Sequence, residues 1–212
     1  VKINLTKCHF ILMPLLCAGV PIICIPAADW LAVSKHGNSA LLDISLLFVL
    51  MAFAALICLL AALIGLAFAR SRRVSALVSL CVTGYLVGLM VSAGIGGRVR
   101  MNAFFNLSER SKPLVAAIVA FENEHGHPPE NLQALVPKYL PSIPATGMGA
   151  YPKYDYLTSA TNWYGNPWVL RVSTSLGVLN WDQFIYFPLT NYPATGYGGT
   201  LERIGDWAYV HE

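Results

Sequence analysis

The amino-acid sequence predicts an α+β protein: N-terminal transmembrane helices, then a domain in which a helix packs on a small antiparallel sheet. Three observations lead to this. Of the 212 residues, 56% are hydrophobic and only 12% are charged, with a mean hydropathy of +0.55, against roughly 25% charged in a typical soluble domain. The charges are unevenly spread: residues 1–97 carry six Lys/Arg and two Asp/Glu, whereas residues 98–212 carry eight and nine. Along the second half, helical spacing of apolar residues gives way to short aromatic and β-branched runs. The chain therefore divides into a membrane region, 1–97, and an extracytoplasmic domain, 98–212. Its net charge of +3 comes from a few cations beside apolar segments. No basic face is present to neutralise a run of phosphates, so nucleic acid is not an expected partner.

Three stretches lack any Lys, Arg, Asp or Glu: residues 8–28, 44–69 and 74–97. Each is long enough to cross a hydrocarbon core of about 30 Å, which takes about 20 helical residues. The second overshoots that thickness and is expected to tilt. The first contains Pro14, Pro21 and Pro26 and is expected to be kinked or irregular. It also reads as a cleavable signal peptide, with Lys2 and Lys7 as a basic n-region and Pro26-Ala27-Ala28 as the cleavage site. The count of spans is thus three, or two after signal cleavage. The stretch is longer than the 7 to 15 residues of an h-region, which favours three.

Lys2 and Lys7 precede the first span, and Arg70, Arg72 and Arg73 crowd the link between the second and third. Retention of these cations in the cytoplasm puts the C-terminal domain outside. No carboxylate, Lys or Arg lies within a predicted span, which disfavours a pump or transporter acting alone. Small residues recur every four positions: Ala61, Gly65 and Ala69 on the second span, and Gly84, Gly88, Ser92 and Gly96 on the third. Such stripes let helix backbones approach closely. The short Arg-rich link predicts a hairpin of spans two and three whose own packing takes up both stripes. Oligomerisation through them is the other reading.

Cys8, Cys17, Cys24, Cys58 and Cys81 all fall in predicted spans, so no disulfide is expected in the outer domain, and no pair has zinc-finger or redox spacing. A helix is predicted over 111–125, with Pro113 in its first turn and Gly126 as its stop. The preceding stretch, 98–111, is a continuation or break of the third span. A short helix follows near Glu130 to Leu135. Tyr151 to Leu157, Pro167 to Ser173, Gln183 to Pro188 and Asp206 to His211 read as strands. One helix followed by several strands implies a helix lying on an antiparallel sheet.

Several motifs of this domain form a recognisable set. The first is the run Ala116-Ala117-Ile118-Val119-Ala120-Phe121-Glu122-Asn123-Glu124-His125-Gly126-His127-Pro128-Pro129. Leu132-Gln133-Ala134-Leu135-Val136-Pro137-Lys138-Tyr139-Leu140, Tyr154-Asp155-Tyr156, Gly165-Asn166-Pro167-Trp168 and Ile204-Gly205-Asp206-Trp207 complete it. Together, over about residues 108–210, the pattern resembles the major pseudopilin of type II secretion and related type IV pilin-like proteins. The resemblance implies a pilin-like domain on the outer side of a bacterial inner membrane and protein partners in a secretion or pilus assembly. Two family features have no match here: a Gly-Phe-type processing site followed by a Glu, and an Asp-rich calcium loop. Thr190 to Arg203, the corresponding stretch, has Glu202 as its only carboxylate, so neither standard filament incorporation nor a calcium site is expected.

The densest set of metal-ligand types is Glu122, Glu124, His125, His127 and Glu130, but spacing alone does not make side chains converge. Asp155, Asp182 and Asp206 are the carboxylates that could meet as an acid/base group. No phosphate loop, nucleophile elbow, His-Glu-x-x-His or dinucleotide fingerprint occurs. The expectation is a non-enzymatic protein with no cofactor, no metal and no catalytic residue. Its partners are the lipid bilayer and other membrane or envelope proteins, with oligomers through the small-residue stripes as an option. The alternative is an accessory subunit of an unrelated membrane complex, bound through its helices.

Overall fold

The computed structural model describes residues 6–158, 164–176, 180–194 and 200–211. Contacts divide the chain into two compact units, Val1–Leu31 with Ala40–Val99, and Ala32–Ser39 with Arg100–Glu212.

The first unit is helical. α1 (Lys7–Ala32), α2 (Asp43–Gly65) and the first part of α3 (Arg72–His125) are long and apolar enough to cross a membrane. α1 is one unbroken helix despite Pro14, Pro21 and Pro26, so the expected irregularity does not interrupt it. A proline removes one i→i−4 hydrogen bond, and apolar surroundings penalise any wider loss of backbone pairing. α1 also runs past residue 28, which puts Asp29 inside a helix predicted to be free of carboxylates. Lys2 lies outside the described residues.

α3 corrects the predicted start of the C-terminal domain's helix. There is no new beginning at Ser111 and no break over 98–111: 54 residues form a single helix, with Pro113 well inside it. At about 1.5 Å per residue it rises about 80 Å, more than twice the hydrocarbon thickness of roughly 30 Å. Continuity follows from a buried stripe at helical spacing, with Phe104, Leu107, Ser111, Leu114 and Ile118 all shielded from solvent. That packing offsets the single backbone bond lost at Pro113.

The second unit holds a five-stranded antiparallel sheet. β1 (Asp155–Leu157), β2 (Val169–Ser173), β3 (Gln183–Tyr186), β4 (Thr200–Ile204) and β5 (Trp207–His211) run in the order β1-β2-β3-β5-β4. One face carries Leu170, Val172, Phe184, Tyr186, Trp207 and Tyr209 in cross-strand register. Phe104 of α3 lies against it, with ring centroids 5.2 Å from Phe184 and 5.0 Å from Tyr209. The other face buries Val169, Ile185, Phe187 and Val210, with Leu157, Tyr192 and Leu201 packed around them. The α+β architecture is therefore as the sequence predicts, while β1 is shorter than expected. β4 falls partly within the stretch read as a loop, whose residues 195–199 lie outside the described residues. Between helix and sheet, the predicted short helix is a single 3₁₀ turn, Leu132–Leu135, capped by the Asn131 side chain accepting from Ala134 N at 3.2 Å.

Candidate functional site

In the second unit, the motif residues act mainly as ties. Trp168 Nε1 donates to Glu122 Oε2 at 3.1 Å, fastening the start of β2 to α3. Asn166 is buried; its Oδ1 accepts from Leu189 N at 2.9 Å and its Nδ2 donates to Asn191 Oδ1 at 2.7 Å. The preceding turn needs Tyr164 and Gly165 in the left-handed region, at φ 52° and 78°, a conformation that favours glycine at the second position. Tyr192 donates its hydroxyl to Asp206 O at 2.7 Å and accepts from Phe187 N at 2.8 Å.

The five-member acidic and histidine set does not converge. Glu124 is held by Lys138 and by Tyr139 Oη, the latter at 2.5 Å. His125 Nδ1 donates to Phe121 O at 2.9 Å while its ring stacks on Phe121. His127 Nδ1 donates to Pro128 O at 2.9 Å. Among the described residues, no three His, Cys, Asp or Glu side chains are grouped to hold a metal ion. The three Asp residues also go to separate places. Asp155 takes a forked contact from Arg171 at 3.0 and 3.2 Å. Asp182, at 2% exposure, accepts from Tyr209 Oη and from Asn180 Nδ2. Asp206 sits in the tight turn between β4 and β5.

A buried polar chain was not legible in the sequence. Arg100, only 5% exposed, donates from Nη2 to Thr174 O at 2.9 Å and to Tyr151 Oη at 3.4 Å. Its guanidinium lies 5.5 Å from the Phe104 ring and 5.8 Å from the Tyr209 ring, an arrangement in which aromatic faces partly replace lost hydration. Burial pushes the Tyr209 phenol above its usual range; Arg100 opposes the rise and Asp182 adds to it. Burial likewise pushes Tyr154 up to about 12. Tyr151 also lines a cleft of about 350 Å³ with Ser39, Lys153, Asp155, Ser173 and Ser175, where the chain before β1 diverges from β2.

Comparison with known protein families, curated proteins and solved structures finds no match.

In the helical unit, the third-span stripe is turned inward: Gly88, Ser92 and Gly96 are buried and Gly84 is half-buried. Its partner is α1 rather than α2. A Cβ on Gly84 would lie 2.6 Å from Pro14 O, and one on Gly88 would collide with Ala18 O. Ser92 Oγ returns to Leu89 O at 2.8 Å. The hairpin prediction made α2 the partner, because a short link makes two helices neighbours; it does not set which face each presents. Gly65, the last residue of α2, meets Ser75 of α3, and Ala61 is exposed; α2 ends at Gly65, short of the predicted residue 69, so Ala69, also exposed, lies past the helix on which the sequence placed it. Arg70, Arg72 and Arg73 are exposed, and Arg72 Nε donates to Leu66 O at 3.2 Å, closing the link.

Gly96 has a different use. Its missing side chain leaves room for the Asp29 carboxylate, which a Cβ there would strike. Asp29 is 5% exposed, and Ser45 Oγ donates to its Oδ1 at 3.4 Å. All three helices thus contribute to one buried carboxylate. The available sequence signal was the helix-compatible run Trp30-Leu31-Ala32 after Asp29, which contains no stop residue.

Proposed function

We propose that this is a non-enzymatic integral membrane protein that presents a pseudopilin-like domain for protein–protein contact on the outer side of a bacterial inner membrane, in a secretion or pilus-type assembly. One observation carries this reading: the conspicuous polar residues of the second unit are used to hold it together, while large apolar side chains stay on its surface. Trp181, Leu189 and Tyr164 are 61%, 55% and 46% exposed. Leu189 and Tyr164 are held on the same Asn166–Asn191 network. Single exposed apolar residues are ordinary, but two on turns braced by one hydrogen-bond network form a contact site with little ordering cost.

The alternative, association through the helices, is weakened because α1 covers Gly84 and Gly88. Photo-crosslinking amino acids at Trp181 and Leu189, and at Leu50 and Ile57 on exposed positions of α2, separate the two in native membranes. Capture of envelope or secretion proteins from positions 181 and 189 is the expected result. Capture of a different membrane complex from positions 50 and 57 alone would replace this reading with the accessory-subunit one.

A further inference from the structure

The helical unit contains a cavity of about 600 Å³, open at the helix surface and lined by all three helices. Five of its eleven lining residues carry sulfur: Met13 and Cys17 on α1, Met51 and Cys58 on α2, and Cys81 on α3. Met13 and Cys17 are four residues apart, and Met51 and Cys58 seven, so each pair shares a helix face. The Cys81 and Cys17 thiols lie within interaction distance of one another. Other sulfur residues of the same helices, Cys8, Cys24 and Met90, do not line this space.

The donor chemistry is one-sided. No carboxylate, imidazole or amine lines the cavity, and the Tyr85 hydroxyl already donates to Phe48 O at 2.6 Å. Hard cations need six or more oxygens. Thiolate and thioether sulfur selects soft or borderline centres: Cu(I), zinc or an iron–sulfur cluster. Charge balance points to the first of these, because net charge is costly in an apolar surrounding and one monovalent ion on one thiolate is neutral. A structural zinc site and an iron–sulfur cluster each take four protein ligands, whereas among the described residues no three His, Cys, Asp or Glu side chains are grouped for a metal.

We propose that this intramembrane cavity binds one Cu(I) ion, with Cys17 and Cys81 as its two principal ligands and Met13 and Met51 as neighbouring thioethers. On binding, the S–H bond of one thiol breaks, its proton leaves to water and a sulfur–copper bond forms. The second sulfur contributes a lone pair without ionising. Copper enters and remains as Cu(I), so no electron is transferred. The site is independent of the contact role proposed above.

The test uses the full chain in detergent micelles, anaerobic and with ascorbate, titrated with Cu(I) as its bicinchoninate complex. The expected result is one ion retained per chain with one proton released. Affinity should fall at least tenfold in a Cys17→Ser, Cys81→Ser double variant and remain unchanged in Cys24→Ser. Alkylation of the unaltered chain, read cysteine by cysteine by mass spectrometry, does not depend on any variant folding. Cu(I) should protect Cys17 and Cys81 while Cys24 still reacts. No retained copper, protection spread evenly over all five cysteines, or equal affinity in the double variant would each overturn the proposal, leaving a cavity filled by acyl chains.

Discussion

At the residue scale, single side chains are committed to partners that can be tested pair by pair. Gly96 and Asp29 form the clearest case, since one residue is small where the other needs space. Gly96→Ala and Asp29→Ala should each destabilise the helical unit. The double variant should lose less than the sum, with a coupling of about 0.5–3 kcal/mol. Thermal unfolding in detergent checks this; simple additivity would mean that the two residues act separately. The exposed Glu124–Lys138 pair makes a pH prediction. Its hydrogen bond and charge hold the Glu124 carboxyl below its usual value and raise the Lys138 ammonium above its own. A depressed carboxyl contributes above its unfolded pKa and loses that contribution as pH falls through the folded value. A raised ammonium contributes below its unfolded pKa and loses it as pH rises through the folded one. The pair is therefore fully present between about pH 5 and pH 10, and Glu124→Gln should flatten the acid side of the stability profile.

At the element scale, α3 combines two helical patterns that are usually met apart. Its first part is apolar and carries small residues every fourth position; its second part is amphipathic and supports the sheet. Gly88 is where the backbone of α3 approaches the backbone of α1 most tightly along the stripe, against Ala18 and Pro21, whereas Gly94 faces open space. Gly88→Leu should separate α1 from α3 and sharply reduce crosslinking of Cys17 to Cys81 by a short bis-maleimide. Gly94→Leu should leave the yield near that of the unaltered chain. Equal yields in both would show that the stripe does not hold α1.

At the scale of the whole molecule, the function proposed above requires a defined topology. With all five cysteines replaced by Ser, a single Glu130→Cys should react with a membrane-impermeant maleimide applied from outside the inner membrane. Ser71→Cys, beside the arginines of the α2–α3 link, should react only after lysis. The opposite pattern would invert the topology and remove the secretion reading together with it.

Hydropathy, charge placement and residue period are properties of consecutive residues, and they determined what they can determine: three apolar helices, an Arg-rich link and an α+β C-terminal domain. Turn and cap chemistry was also local, as at Gly126, Gly165 and Asn131. Only tertiary structure decided which surfaces meet. The link placed α2 beside α3, but helix rotation turned Gly84 and Gly88 toward α1. Continuity of α3 through Pro113 depended on a sheet that supplies Phe184 and Tyr209 as partners for Phe104. Asp29, Arg100 and the sulfur-lined cavity were illegible for the same reason. Their environments are assembled from residues distant in sequence, and a buried polar or soft side chain carries no local pattern that distinguishes it from an exposed one.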